Sequence, residues 1–252
     1  MFCYDTEFAY SEMCNFNIGQ IKTFLTRNIT VYADSDTAAR LDRSVDIVIT
    51  PLPDPNSRYF RNINKQLTWH NANRSMIFAQ PPYDKTIVID VDYIIYSEFL
   101  KNLWQVNYDL MCYTKSCDLA GKYESHKEKV GESMIPFSWA TVLLVTKSQL
   151  CRQLYFLFNH IKEHWSWYCK LYRIKTSNFR NDFALSIALH TLNGFRNHRF
   201  GIPGVMSCVT DEAAVTLGGK KFTYSFEKNG LQYKHTSTGL DVHVLNKIVT
   251  YE

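Results

Sequence analysis

Two carboxylates two residues apart, Asp90 and Asp92, stand at the end of the β-branched apolar run Thr86-Ile-Val-Ile. In an extended chain, residues i and i+2 project to the same side, so both can face one ligand. Charge beside an apolar run is costly to bury unless something neutralises it. A divalent cation does so and leaves positions free for phosphate oxygens. Tyr93-Ile-Ile follows the pair, so apolar residues flank it on both sides, which argues against a solvated strand end. Upstream, the turn cluster Pro81-Pro82-Tyr83-Asp84 bounds the run, which predicts a buried parallel strand. Ligands of open α/β sheets sit outside the carboxyl ends of such strands.

The elements that must position this pair read as an α/β chain. Met1–Tyr4, Ile29–Ala33 and Val45–Ile49 are strand-like. A helical pattern over Phe8–Leu25 and a short helix through Leu41, capped by Ser35 or Asp36, separate them. That order predicts a mostly parallel sheet with right-handed crossovers, flanked by helices. Helices are expected over Asn64–Ala79, over Tyr96–Val106 with Ser97 as cap, over Lys147–Trp167 and over Asn181–Leu192. Asp109–Tyr113 and Trp139–Val145 read as strands, and the polar, two-glycine segment Lys115–Ser133 as a mobile loop over the site. Beyond Gly194 the chain turns β-rich: Lys221–Phe226 and Leu231–His235 flank the hairpin signal Glu227-Lys-Asn-Gly230, and Asp241–Leu245 is one more strand.

Composition narrows the classes. With 252 residues, 46% hydrophobic and 21% charged, the chain has the balance of an ordinary globular domain with a sizeable core. A net charge of +4 permits a polyanionic partner without demanding one. No apolar run reaches the length of a membrane span, and no signal peptide is visible, so no membrane partner is expected. The seven cysteines form no Cys-x-x-Cys pair, which speaks against a zinc knuckle and points to reduced thiols in a cytoplasm.

From Lys85 to Ile95 the chain resembles the metal-dependent nucleotide-sugar glycosyltransferases of the GT-A (Rossmann-like) fold, glycogenin-like and small phage members included. The resemblance covers most of the chain and rests on four places. They are the strand ending in Asp90-Val91-Asp92, Arg74 in the preceding helix, Asn181-Asp182-Phe-Ala-Leu, and Asp241-Val-His243-Val-Leu-Asn-Lys247. It implies one GT-A domain over 1–252. Residues 1–113 form its nucleotide-binding half, and 134–252 its acceptor half and a β-rich extension that closes the metal site. It also implies Mn²⁺ or Mg²⁺ on Asp92 and His243, with Asp90 on the cation or the ribose. Arg74 and Lys247 would hold the donor phosphates, and Val91, Tyr4, Asp5, Thr6 and Asp34 would surround the rest of a UDP-linked donor. Asp182 would orient acceptor or sugar, or serve as general base. At Phe137-Ser138-Trp139-Ala140 the chain departs from the family, whose members often carry Asn and Gly there, so a different donor-sugar pocket is implied.

Each residue has a plainer reading. His243 alone reads as a core histidine, Arg74 as a solvated helix residue, and Asp182 as a first-turn acid favouring the helix dipole. Lys220-Lys221 after Gly218-Gly219 reads as a surface approach to the hairpin. His160-Ile-Lys-Glu-His164 matches an inverted zinc-protease pattern but lacks an evident further ligand set. Over Lys162–Arg180, Trp165, Trp167, Lys170 and Arg173 interleave base and aromatic as on surfaces that follow a phosphate backbone, or else form an amphipathic helix. If that segment is functional, a hydroxymethylated base of phage DNA is the acceptor, and the enzyme acts in the host cytoplasm. A protein or glycan acceptor, a nucleotidyltransferase and a non-catalytic nucleic-acid-binding protein are the other classes the residues allow.

Overall fold

The structure is a computed structural model, and it describes residues 1–252 apart from 61–64, 122–128, 133–134, 177, 211 and 247–248. The first strands behave as their order requires: Thr30–Ala33 runs parallel to Asp46–Ile49, and Phe2 bridges to Tyr32 in parallel. Helix Tyr10–Phe24 and the short helix Ser35–Ala38 supply the crossovers. The cap of the second is Asp34, whose Oδ1 accepts from the Asp36 and Thr37 amides, so the helix begins one residue earlier than expected.

The strand before the two carboxylates corrects the expectation of one mostly parallel sheet. Lys85–Ile89 pairs antiparallel with the long strand Trp139–Thr146, whose other edge pairs antiparallel with Leu110–Tyr113. Among the described residues the fold is mixed α/β with several small sheets, and no large parallel sheet gathers them. A continuous apolar run reports burial on both faces, which a central antiparallel strand shares with a parallel one. Such runs therefore leave strand direction open.

Two expected helices also change. Within Asn64–Ala79, Lys65–Trp69 is a strand and only Met76–Ala79 is helical. Tyr96–Val106 tightens to a 3₁₀ helix over Phe99–Trp104, although Ser97 Oγ does accept from the Phe99 amide at 3.2 Å. The expected loop Lys115–Ser133 contributes strands Ser116–Asp118 and Lys129–Val130.

Elsewhere pattern and structure agree in outline, except that the expected helix Lys147–Trp167 ends at Glu163 and a separate helix, Trp165–Leu171, follows His164. Helix Gln149–Glu163 is capped by Ser148 and buries Cys151, Leu154, Phe158 and Ile161, one stripe at helical spacing. Each such side chain contributes about 1.5–3 kcal/mol on burial. Asn181–Leu192 buries an unbroken run from Phe183 to Leu189, as a helix packed on both sides must. It lies between the Trp139–Thr146 strand and the Gln149–Glu163 helix. The C-terminal part is β-rich as expected. One sheet orders Leu231–Thr238, Lys221–Lys228, Ala214–Leu217 and Val249–Tyr251; another joins Tyr93–Ile94, Val242–Val244, Met206–Val209 and Ser116–Asp118. No helix among the described residues is long and apolar enough to cross a membrane. All seven cysteines are free thiols.

Candidate metal centre

Asp90 leaves the Lys85–Ile89 strand with its amide still bonded to the Thr141 carbonyl at 2.9 Å. The Tyr93 amide then closes a turn onto the Asp90 carbonyl at 3.0 Å, which sets Asp92 at the turn's crest. Tyr93–Ile94 pairs antiparallel with Val242–Val244, placing His243 opposite Tyr93, and the Val244 amide donates to the Asp92 carbonyl at 2.8 Å. Two backbone ladders thus carry a histidine from 151 residues further along the chain to the second carboxylate. His243 Nε2 lies 3.4 Å from Asp92 Oδ1. One ligand atom from each of Asp90, Asp92 and His243 falls within 4.8 Å of the others, and no other group of three or more among the described residues could hold an ion.

The electrostatics match the crowding. Burial and the neighbouring Asp92 charge push the Asp90 carboxyl upward, against the Arg74 guanidinium, which is hydrogen-bonded to it. Burial disfavours a charged His243, yet the Asp92 charge and hydrogen bond, with Cys208 beside it, raise the imidazole to about 10. Arg74 is itself buried, so it is no solvated helix residue; its second amino group reaches the Thr141 carbonyl at 3.5 Å.

Two residues that pattern reasoning missed complete the setting. Asn17 has no exposed surface; its Nδ2 donates to the Tyr93 carbonyl at 2.7 Å and the Val91 carbonyl at 3.4 Å, and its Oδ1 accepts from the Ile95 amide. It pins the turn that carries Asp92. The signal was present as an amide on the apolar face between Met13 and Ile21. Tyr10, at the start of the same helix, has its hydroxyl raised by burial and then by the charges of Asp92 and Asp90.

The remaining expected residues divide. Asp182 lies close enough for its charge to act on Asp90; it accepts from the Ala140 amide and from Arg180, both at 2.9 Å. Val91 is buried and offers the site only backbone. Tyr4 is buried, and its hydroxyl meets Thr50 Oγ1 and Asn73 Nδ2. Asp5 accepts from the Ser11 amide and hydroxyl and from Arg40, Thr6 Oγ1 from the Phe8 amide, and Asp34 caps its helix. These polar groups hold the local turns together. Lys247 lies outside the described residues. Trp165 is core, packed on Phe179 and Phe183, so it offers no face to a base; Trp167, Lys170 and Arg173 are exposed. His160 and His164 do meet, with ring centroids 4.4 Å apart, but no third ligand among the described residues joins them. Lys221 reaches Glu252 at 3.5 Å.

No protein-family model and no curated protein matches this chain.

Proposed function

We propose that the chain is a metal-dependent glycosyltransferase of GT-A type, moving a sugar from a nucleoside diphosphate donor, UDP-linked, to a hydroxyl acceptor. The observation that carries this reading is the convergence of Asp90, Asp92 and His243 with Arg74 at the end of one strand. The donor set fits the cation. Two carboxylates and an imidazole suit Mn²⁺ or Mg²⁺, and the remaining positions suit phosphate oxygens. The three ligand atoms already lie within 4.8 Å of one another, so one cation can draw them together through side-chain shifts. A bound cation supplies Lewis-acid stabilisation of the charge that builds on the departing diphosphate.

The chain's own groups do the rest. Arg74 is a fixed cation beside Asp90 and can turn one N–H to a phosphate oxygen. Asp182 is oriented by the Ala140 amide and Arg180, and its remaining lone pairs can accept a hydroxyl of the sugar or the acceptor. For the acceptor we infer DNA carrying a hydroxymethylated base, on the strength of the +4 charge and the exposed Trp167, Lys170 and Arg173.

Thermal melting with nucleoside diphosphates and nucleotide sugars, with and without Mn²⁺, tests the reading. A ligand that binds only the native state raises the melting temperature. Expected is a Mn²⁺-dependent rise with one nucleotide sugar that Asp92→Ala abolishes. No rise with any nucleotide overturns the proposal, and release of pyrophosphate in place of a nucleoside diphosphate assigns a nucleotidyltransferase.

A further inference from the structure

The strand that leads to Asp90 also borders a cavity that the metal centre does not use. Lys85–Ile89 ends its three-stranded sheet, so among the described residues one of its edges has no neighbouring strand. The first residues of the chain join the other sheet: the Cys3 amide bonds the Tyr32 carbonyl and the Tyr32 amide the Met1 carbonyl, both at 2.9 Å. Where the two sheets fail to join there is a cavity of about 310 Å³, lined by Phe2 and Tyr32, by Lys85–Ile89, and by Ile21 and Trp104. That volume falls within the range of small-molecule sites, about 300–1,000 Å³. Few interior voids exceed a water molecule, and apolar ones stay dry and accept apolar guests. None of Asp90, Asp92, His243 and Arg74 lines this one. Its wall carries no Asp or Glu, and Lys85 is its one lysine, arginine or histidine. Lys85 Nζ donates to the Trp104 carbonyl at 3.0 Å and the Val106 carbonyl at 2.6 Å. An ammonium has three N–H groups, so one is left for a ligand. Asp84, its chain neighbour, pairs instead with Lys147 at 3.0 Å.

We propose that this cavity binds a fatty acid, a monocarboxylate whose hydrocarbon tail lies among the apolar side chains and whose carboxylate meets Lys85. Charge selects the head group. An ionised acceptor makes a hydrogen bond to an ammonium that is roughly twice as strong as a neutral pair, and the wall has no acid to repel it. A cationic ligand would find no acid to pair with and would meet the Lys85 charge. A nucleotide or free phosphate brings more charge and more polar atoms than one N–H can satisfy, and pays to leave water for apolar walls. The apolar wall selects the tail, because burying hydrocarbon is favourable in proportion to the area removed from water. The site is independent of the transferase reading and stands or falls apart from it.

The test titrates butanoate, hexanoate, octanoate, decanoate and 1-octanol into the full chain by calorimetry, in EDTA and again with Mn²⁺. Wild type is compared with Lys85→Met, Lys85→Arg and Ile87→Phe. Expected is one site per chain in EDTA, with affinity rising about fourfold for each added CH₂ until the tail fills the cavity. Octanoate should bind about tenfold tighter than 1-octanol. Lys85→Met should erase that tenfold difference and Lys85→Arg should keep it, while Ile87→Phe, which takes up part of the space, should weaken the longer acids most. Lys85→Met also releases the Trp104 and Val106 carbonyls; should it fold poorly, the comparison of acid with alcohol in wild type and the Ile87→Phe titration decide. No binding, an affinity indifferent to tail length, equal affinity for octanoate and 1-octanol, or variants that behave as wild type overturns the site. So does binding that appears only with Mn²⁺, which would put the carboxylate on the metal centre.

Discussion

Asn17 and His243 show how single side chains set the site. Asn17 satisfies three backbone groups of the Asp92 turn from a position with no exposed surface. Asn17→Ala leaves them buried and unpaired, and should cost about 2–4 kcal/mol in denaturant unfolding while lowering Mn²⁺ affinity. Asn15→Ala, whose side chain meets only the Arg40 carbonyl and the Asp42 amide away from the carboxylates, serves as a control with unchanged Mn²⁺ affinity. His243 couples the apo protein to pH. Its folded value, about 10, exceeds the ordinary 6.5, so its charged pairing with Asp92 stabilises fully below pH 6.5. That contribution is lost as pH rises toward 10. Melting temperatures in EDTA should therefore fall across pH 6.5–10 in wild type, and more shallowly in His243→Gln.

At the scale of elements, short ladders do the positioning. Tyr93–Ile94 is two residues long, yet its pairing with Val242–Val244 brings a distant histidine to the carboxylates. Asp241, next to that strand, accepts from the Tyr96 and Ser97 amides at 2.7 Å each and ties it to the segment following Asp92. A second tight fit lies where the hairpin of Lys129–Val130 and Ile135–Pro136 meets the end of helix Trp165–Leu171. Gly131 has φ +57°, and a Cβ there would stand 2.0 Å from the Tyr172 carbonyl oxygen. Gly131→Ala meets both the left-handed backbone and a backbone clash, and should cost at least about 2 kcal/mol by thermal or denaturant melting. Gly194→Ala, with φ +66° and nothing near its Cβ, meets only the backbone penalty of roughly 1 kcal/mol.

Across the whole molecule, the larger core and a second core under the C-terminal sheet meet at the segment after Asp92, where Tyr93 and Ile95 pack in one and Ile94 and Tyr96 in the other. The carboxylates therefore sit at the junction of the two cores, packed from both sides. The outer surface carries the acceptor inference. Binding to DNA should weaken steeply with salt, and Lys170→Ala with Arg173→Ala should reduce the slope of log K against log salt by about 2. Glu132, 3.6 Å from Arg173, screens part of that charge, so Glu132→Gln should raise DNA affinity. Trp167→Ala should weaken binding at every salt concentration with the slope unchanged. Binding insensitive to all of these substitutions would sink the DNA surface.

What the sequence determined by itself is local: the Asp90–Asp92 pair at a strand end, the stripe of Gln149–Glu163, the helix Asn181–Leu192 and the C-terminal hairpin. Each follows from periodicity, a cap or a turn within a few residues. Strand direction escaped it, because a fully apolar strand between two others looks alike in parallel and antiparallel surroundings. Lys65–Trp69 escaped as well, its residues carrying a helix-like pattern that pairing with Asn56–Phe60 overrides. Tertiary structure alone decided which polar residues have partners. It buries Tyr4 and Trp165 and sets Asp5 and Asp34 as local anchors. Hydrogen-bond partners and burial depend on chain segments far apart in sequence, and no spacing rule within one segment contains them.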